Sequence, residues 1–270
     1  MSKYIVTFVA LSLLSFSAAS KEICMSDYST VGAHYQVSTV VSKTKSDIKY
    51  RARRGAKAYK VDDGLVFWRR NTEVAYQYPN QHITEIWNQQ ANGRIRPVRY
   101  FDEHRRGIEY QASEVYGGQK SKSGEGLVSR KNEWSEKFQL ISNAFRHSMV
   151  LEKTSGSGCD KLTYYIKKDN DKTYRMVWSP SLGLPVDYKE MSAYRTYRIK
   201  LTDKVIDLKT IDAFFALRDT YQTTDYADIG DNESDPFLLG MINLGFVEHG
   251  SSGFYNVDGG DMGSRSAHNH

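Results

Sequence analysis

The amino-acid sequence predicts a mainly β fold with helices (α+β): a curved antiparallel sheet or incomplete barrel, an amphipathic helix packed on it, and a C-terminal helical tail. Nineteen Tyr residues against five Pro suit a pleated, half-buried surface. Apolar and polar residues alternate with a period of two through the middle of the chain, and Gly, Asn, Asp and Pro separate the alternating stretches. About nine or ten short strands joined by tight turns indicate a meandering antiparallel sheet.

Each strand is predicted from the face that it buries. Val74, Tyr76 and Tyr78 alternate with polar or small residues, which is typical of a strand with one wet face. Two later strands flank a polar run of turn-forming residues, 168–171, and this spacing predicts a hairpin. The predicted strands are 47–53, 65–69, 73–78, 82–88, 94–101, 108–113, 147–151, 162–166, 174–178 and 197–201.

Helical periodicity occurs in three places. Residues 133–146 carry apolar side chains at helical spacing behind a possible N-cap at Asn132, which predicts one amphipathic helix lying on the sheet. Asp207 is placed to cap a second helix that ends near residue 221. Asp235 precedes Pro236, the favoured first residue of a third helix, 236–244.

The N-terminus has the pattern of a secretory signal peptide. Lys3 is followed by an apolar run, 4–16, and then by small residues up to residue 20. That run is too short to span a bilayer, and nothing later supplies a span of about twenty apolar residues. We therefore expect a periplasmic or secreted protein without a transmembrane span in the mature chain. The predicted organisation is a signal peptide over 1–20, a β-sheet domain over 21–202, an acidic helical segment over 203–257 and a disordered tail over 258–270.

Cys24 and Cys159 are the two cysteines of the chain. In an oxidising compartment two thiols that can meet usually pair, so the sequence predicts a disulfide between them. The alternative is a lipoprotein in which Cys24 carries the acyl chains. The residues before Cys24 are a poor context for that processing, because they are not small.

The formal net charge of +5 is distributed unevenly along the chain. Residues 43–106 carry 15 Lys and Arg against 7 Asp and Glu, whereas residues 202–270 carry 4 against 12. We expect the two segments to face each other. A basic surface in the cell envelope also suits phosphate-bearing lipids, although such charges commonly form only the solvated face of strands. Export argues against nucleic acid as a partner.

The densest group of oxygen ligands is the acidic run at 225–235. Asp231, Glu233 and Asp235 stand at the first, third and fifth positions of a calcium-loop register. The register then fails, since Pro236 stands where the loop needs Gly and Ile242 stands at the twelfth position. An acidic linker that caps the following helix explains the same residues, so calcium is a weaker hypothesis and no other cofactor is expected.

Catalytic motifs are absent from the sequence: it has no nucleophile elbow, haem motif or Gly-rich phosphate loop. Glycosidic chemistry would need a pair of carboxylates in one cleft. Glu85 alternates with Ile83 and Trp87 and is expected to point inward, where an arginine partner is the simpler account. A binding protein is therefore favoured over an enzyme. The candidate carboxylates are Glu85, Asp102, Glu103 and Glu109.

Large aromatic residues on neighbouring predicted strands are the strongest indication of binding. If the sheet curves, they line a concave apolar groove beneath the predicted amphipathic helix, and if the helix fills the groove they are core. The candidate ligand-binding residues are Phe67, Tyr76, Tyr78, Trp87, Tyr100 and Tyr110 on the sheet, with Trp134 and Phe138 on the helix.

Two segments carry a family resemblance. Residues 177–188 (VWSPSLGLPVDY), followed by a strand at 195–201, and residues 92–101 (NGRIRPVRYF), in which a Pro-containing strand follows a Gly turn, resemble envelope proteins of the LolA-like half-barrel superfamily. The resemblance covers roughly residues 45–202. It implies an incomplete barrel with a helix as lid over a hydrophobic concavity and, in several relatives, transport of lipid or acylated protein. The acidic segment after residue 201 is not part of that pattern.

The sequence thus predicts an exported, non-catalytic protein that binds a hydrophobic or amphipathic envelope ligand, such as a lipid or acylated molecule, between the aromatic sheet face and the helix at 133–146. The alternative is a scaffold component of an envelope complex that docks a protein partner through its acidic C-terminal segment. An enzyme acting on envelope glycans is the third hypothesis.

Overall fold

A computed structural model of the chain describes residues 28–41, 59–111, 134–232 and 234–243. Twelve strands within these ranges form one sheet. The mainly β fold predicted from the sequence is therefore confirmed at this level. The strands are β1 Thr30–Val41, β2 Tyr59–Arg70, β3 Glu73–Tyr78, β4 Ile83–Gln89, β5 Ile95–Phe101, β6 Arg106–Glu109, β7 Val150–Ser155, β8 Leu162–Asp169, β9 Lys172–Ser179, β10 Leu184–Met191, β11 Arg195–Val205 and β12 Gln222–Asp225.

The sheet is open, in the order β12-β6-β5-β4-β3-β2-β1-β11-β10-β9-β8-β7. Strand β1 joins two antiparallel meanders, because it pairs with β2 on one side and with β11 on the other. The short β12 pairs with β6 in parallel at one edge, and β7 forms the opposite edge. An open twelve-stranded sheet of this kind agrees with the predicted curved sheet rather than with a closed barrel.

The helices differ in part from the prediction. The expected single helix over 133–146 is instead divided in two, because Leu140 adopts a left-handed backbone with φ 68° and ends the first part. Ser142 then caps the second, its Oγ accepting a hydrogen bond of 3.1 Å from the Phe145 amide. The described helices are α1 134–139, α2 Asn143–His147, α3 Leu208–Asp219 and α4 Pro236–Asn243.

The two later helices begin where the sequence predicted. Asp207 caps α3 by accepting a hydrogen bond from the Thr210 amide at 2.9 Å. Asp235 caps α4 by accepting one from the Phe237 amide at 2.9 Å. Both caps satisfy amides that have no partner inside their helix.

The sheet has an apolar cluster on each side. Face A is the side that carries Phe67, Tyr76 and Trp87, and it packs against α1, α2 and α4. Face B is the side that carries Val66 and Trp68, and it packs against α3. Neighbouring residues such as Val66 and Phe67 lie on opposite faces because side chains alternate along a strand. No helix of the described ranges is both long and apolar enough to cross a membrane.

Several predictions concern residues outside the described ranges: the signal peptide, the strand at 47–53 and the tail at 258–270. The predicted boundary at 202/203 falls inside β11, which runs to Val205. The described part of the acidic segment contributes β12 to the sheet, α3 to the cluster on face B and α4 to the cluster on face A.

Candidate ligand site beneath the first helix

Seven of the eight aromatic candidates belong to face A or to the helix on it. Phe67 and Trp87 are fully buried there, and Trp134 and Phe138 of α1 pack against the same cluster. Tyr100 is the exception. It lies on face B, edge-to-face with Tyr221 at a centroid distance of 5.8 Å. The prediction that Tyr100 lines the same surface as the others was therefore wrong, since it is one residue out of phase with Phe101. The candidates that share face A or α1 are Phe67, Tyr76, Tyr78, Trp87, Tyr110, Trp134 and Phe138.

The carbonyl end of α1 is attached to the sheet by polar contacts. Arg69 donates from Nη1 to the Phe138 carbonyl at 2.8 Å, and from Nη2 to the Leu182 carbonyl at 2.6 Å. The Tyr76 hydroxyl donates to the Lys137 carbonyl at 2.9 Å. The last carbonyls of a helix have no partner inside it, and a cation is favoured at that end by the helix dipole. Arg69 and Tyr76 therefore fix where α1 ends on the sheet.

Cations lie among the rings of the site. The Lys137 ammonium sits 4.0 Å from the centroid of the Trp87 ring, and the Arg69 guanidinium sits 4.5 Å from that of Phe138. Both cationic side chains are buried. Cation–π attraction is strongest where water is excluded, so these contacts stabilise charge in an otherwise aromatic environment. The sequence indicated the position of Arg69 only through its spacing: it stands two residues after Phe67 on β2 and therefore shares its face.

The buried Glu85 has the arginine partner that the sequence suggested. Arg99 donates from Nη2 to Oε1 of Glu85 at 2.7 Å, across β4 and β5. Burial raises the pKa of Glu85 despite the neighbouring guanidinium. Burial alone would lower the pKa of Arg99. The charge of Glu85, together with nearby tyrosines, outweighs that effect, so the pKa of Arg99 is raised. The pair is a charged element inside face A.

Tyrosine hydroxyls complete the polar part of the site. Burial is the main cause that raises the pKa of Tyr35, Tyr76 and Tyr78 above the ordinary tyrosine value. The Tyr35 hydroxyl donates to the Pro185 carbonyl at 2.9 Å. These phenols stay protonated at neutral pH, and those of Tyr35 and Tyr76 donate hydrogen bonds to backbone carbonyls.

The candidate carboxylates are divided between the two faces of the sheet. Glu85 lies on face A, whereas Asp102 and Glu109 make their contacts on the other side. Asp102 accepts from Arg218 of α3 at 3.0 Å, and Glu109 accepts from Thr223 at 2.6 Å. Glu103 is exposed. Glu85 and these carboxylates do not form the pair in one cleft that glycosidic chemistry needs.

The acidic run is partly described. Asp235 holds Arg106, which donates to its Oδ2 at 2.7 Å, and this contact together with its capping role occupies both carboxylate oxygens. Glu233 and the side chain of Asp231 lie outside the described residues. Within the described ranges no three His, Cys, Asp or Glu side chains are grouped to hold a metal ion. The calcium site stays a prediction, and one of its three proposed ligands, Asp235, already binds Arg106 and the Phe237 amide.

The basic and acidic segments contact each other through two ion pairs. Arg70 pairs with Asp212 at 3.4 Å, and Arg106 pairs with Asp235 at 2.7 Å.

Cys159 lies in the turn Gly158–Asp160, where its carbonyl accepts from Ser181 Oγ at 2.7 Å. Its predicted partner Cys24 lies outside the described residues, so the disulfide stays a prediction.

Comparisons with known proteins identify no relative of this chain. No family model matches it, and no curated protein matches it. Two solved structures, entitled "Structure of PNGF-II" in the P21 and C2 space groups, align with a TM-score of 0.31 and identities of 6% and 7%. Each alignment covers 72% of this chain and 31% of the other, so the chain spans less than a third of those structures. Similarity at that level carries no argument about fold or function.

Proposed function

We propose that this protein is exported to the cell envelope, where it binds an amphipathic ligand, such as a lipid or an acylated molecule, between face A and α1 without catalysis. The observation that carries the proposal is the attachment of α1: its carbonyl end is held by Arg69 and Tyr76 over a surface of large rings. The acyl chain of such a ligand would replace the apolar contacts of α1 with the rings, and an anionic head group would replace the carbonyls that Arg69 and Tyr76 bind.

The apolar part of the ligand would take the place of the α1 side chains. Trp134 and Phe138 are only half-buried and pack on fully buried Phe67 and Trp87. Displacing two half-buried rings costs less than opening the sheet itself, because less apolar area returns to water. Entry beneath α1 is therefore less costly than separating strands of the sheet.

The polar part of the ligand would meet groups that already bind oxygen atoms. Arg69 and the Tyr76 hydroxyl donate to backbone carbonyls of residues 136–138. A carboxylate or phosphate is a stronger acceptor than a carbonyl for such donors. When α1 moves away from the sheet, Arg69 and Tyr76 lose their hydrogen bonds to its carbonyls and can donate to the head group of the ligand instead.

The first test is native mass spectrometry of gently purified protein, in which a bound acyl molecule adds to the mass of the chain. The second uses delipidated protein and a dansyl-labelled fatty acid, with tryptophan as energy-transfer donor. Trp87 on face A should transfer to the probe more efficiently than Trp68, whose ring stacks on Phe214 of α3 on face B.

Matched variants locate the probe. Trp87→Phe should remove a large part of the transferred signal, and Trp68→Phe, the same change on the opposite face, should leave it nearly intact. Equal losses from both variants, or protein that shows neither a bound mass nor saturable transfer, would overturn the proposal. Circular dichroism of both variants checks that the sheet is retained.

The scaffold hypothesis has less support from the described part of the acidic segment. Asp212 and Asp235 already pair with Arg70 and Arg106 of the same chain. Ile229, Leu238 and Met241 are buried in the cluster on face A. Removing the segment would therefore expose core, so its deletion cannot serve as a clean test of partner docking.

A further inference from the structure

Three cations stand in a row across neighbouring strands of the second meander, which comprises β7 to β11. Arg175 on β9 lies directly opposite Lys189 on β10, and Lys189 lies directly opposite Arg198 on β11. Tyr174 and Met176, the neighbours of Arg175, belong to the cluster on face A, so the row lies on face B. With strands about 4.8 Å apart, three positive charges fall within about 10 Å.

This arrangement costs stability. Like charges directly opposite each other in an antiparallel sheet are destabilising. Arg198 is compensated by Asp187, to which it donates from Nε at 2.8 Å and from Nη2 at 2.5 Å. Arg175 and Lys189 make no ion pair or hydrogen bond with a side chain of the described ranges. Violations of local rules at an open surface are expected at functional sites.

The row borders a shallow groove of about 120 Å³. Arg175 and Lys189 line it, together with Tyr164, whose ring lies 4.7 Å from the Lys153 ammonium. Two carboxylates also line it: Asp187, already paired with Arg198, and Glu152. With these two included, the four cations Arg175, Lys189, Arg198 and Lys153 leave the surface positive.

Aliphatic side chains lie beside the cations. Val150 of the edge strand β7 is 65% exposed and pairs with Ile166 on β8, which lies directly opposite Arg175. The cluster beneath α3 includes no residue of β7 to β10, so α3 leaves this part of face B uncovered. An open surface with cations next to exposed aliphatic groups is typical of proteins that lie on a membrane interface.

We propose that this basic row, Arg175, Lys189 and Arg198, docks face B of the second meander onto the phosphate-bearing surface of an anionic lipid bilayer. Juxtamembrane Lys and Arg gain free energy near such a surface, and the exposed aliphatic groups would contact the acyl boundary. The three cations stand in a line across adjacent strands, which suits a surface of many head groups better than one compact anion. The row shares no residue with the site beneath α1, so either proposal can fail alone.

The test is co-sedimentation of the protein with vesicles of phosphatidylcholine alone or with phosphatidylglycerol added. The wild type should bind only the anionic vesicles and should be released by about 0.5 M salt, where the Debye length is a few ångström. Arg175→Gln/Lys189→Gln should weaken that binding about thirtyfold, since each cation near an anionic surface contributes a similar increment. The matched control, Arg94→Gln/Lys209→Gln, removes two exposed cations elsewhere and should bind within about twofold of the wild type.

Two further measurements separate docking from a structural role. Glu152→Gln removes a negative charge from the same groove and should strengthen binding to anionic vesicles about fivefold. Arg175→Gln/Lys189→Gln should have an unchanged or higher thermal midpoint than the wild type, because it relieves like-charge repulsion. The proposal is overturned if the wild type ignores anionic vesicles at low salt, if both double variants bind alike, or if the row variant loses binding only because it unfolds.

Discussion

Glu85 and Arg99 face each other across β4 and β5 inside the protein, with Oε1 and Nη2 2.7 Å apart and each side chain only 2% exposed. Two charges at this depth need each other, because either one alone would be an uncompensated charge in a medium of low polarity. The pair lies on face A among aromatic side chains, where it adds a buried ion pair to the cations Arg69 and Lys137 of the candidate site.

Breaking this pair from one side should be more damaging than removing it altogether. Glu85→Leu, which leaves the Arg99 guanidinium without its carboxylate, should lower the free energy of unfolding by about 3 to 5 kcal/mol, whereas Glu85→Leu/Arg99→Met should cost less than the single change. Urea unfolding of both single variants and the double variant measures the coupling. Additive losses would show that the two side chains act independently.

Arg69 should be the residue on which the position of α1 depends most. Arg69→Met removes the charge-assisted hydrogen bonds to the carbonyls of Phe138 and Leu182, and we expect a loss of about 3 kcal/mol in unfolding free energy. Hydrogen exchange should accelerate at the amides of residues 134–140 more than in β3 or β4.

The control is Arg94→Met, the same change at an exposed arginine in the turn between β4 and β5. It should alter the unfolding free energy by less than about 0.5 kcal/mol. Protection of α1 that is identical in the Arg69 variant and the control would mean that apolar packing alone positions this helix.

The buried phenols should make the protein sensitive to alkali. Burial raises the pKa of Tyr100 to about 12 and raises those of Tyr35, Tyr76 and Tyr78 as well. A raised pKa in the folded state means that unfolding releases protons. The contribution of these groups to stability is therefore complete below the unfolded value of about 10 and is lost as pH rises through the folded value.

Alkaline unfolding can be followed by tyrosinate absorbance and circular dichroism together. The two signals should change in one step for the buried phenols, because they ionise only as the sheet opens. Tyr100→Phe should shift that step to higher pH, since one group that favours the unfolded state in alkali is removed. Buried phenols that ionise well before the sheet unfolds would contradict the expected direction.

Strand β3 shows where sequence patterns suffice. Its bounds, Glu73–Tyr78, match the predicted strand because Val74 and Tyr76 are buried on face A, while the small residue Ala75 between them is buried on face B. Tyr100 shows the limit of counting aromatic residues. Its neighbours Arg99 and Phe101 lie on face A. Because Arg99 is charged, nothing in the sequence indicated that residues 99 and 101, rather than Tyr100, face the cluster on that side.

Strand β1, the centre of the sheet, escaped prediction. Its first half has small residues, Gly32 and Ala33, where an alternating pattern would place larger ones. Contacts with β2 explain this: a Cβ on Gly32 would lie 2.8 Å from the Trp68 ring. The break of the predicted helix at Leu140 was equally hidden, because a left-handed leucine is rare and only tertiary packing maintains it. The polar attachment of α1 also depends on residues distant in sequence, such as Arg69 and Leu182.

Gly32 should tolerate substitution much less well than Gly64. Gly32→Ala forces the Trp68 ring or β1 to move and should cost about 1 to 3 kcal/mol in unfolding free energy. Gly64→Ala, on the neighbouring strand β2, meets no atom within 4 Å and should be neutral or slightly stabilising, since alanine reduces the freedom of the unfolded chain. Equal effects of the two substitutions would show that the contact with Trp68 does not restrict residue 32.

Asp235 attaches α4 to the sheet in two ways, as the cap of that helix and as the partner of Arg106 on β6. Asp235→Asn retains a capping oxygen and loses the ion pair, whereas Asp235→Ala loses both. At neutral pH we expect the Asn variant to lose under about 1 kcal/mol and the Ala variant about 1 to 2 kcal/mol.

The pH dependence of the Asp235 variants distinguishes the two contributions. The hydrogen bond from Arg106 lowers the pKa of Asp235, so the stabilising effect of its charge is complete above the ordinary carboxyl value and is lost as pH falls through the lowered one. Urea unfolding at neutral pH and near about pH 3 should therefore show the difference between wild type and Asp235→Asn shrinking in acid. The difference between Asp235→Asn and Asp235→Ala should persist, because a neutral amide caps a helix at either pH. A gap between wild type and the Asn variant that stays constant in acid would mean that the ion pair with Arg106 adds nothing to the attachment of α4.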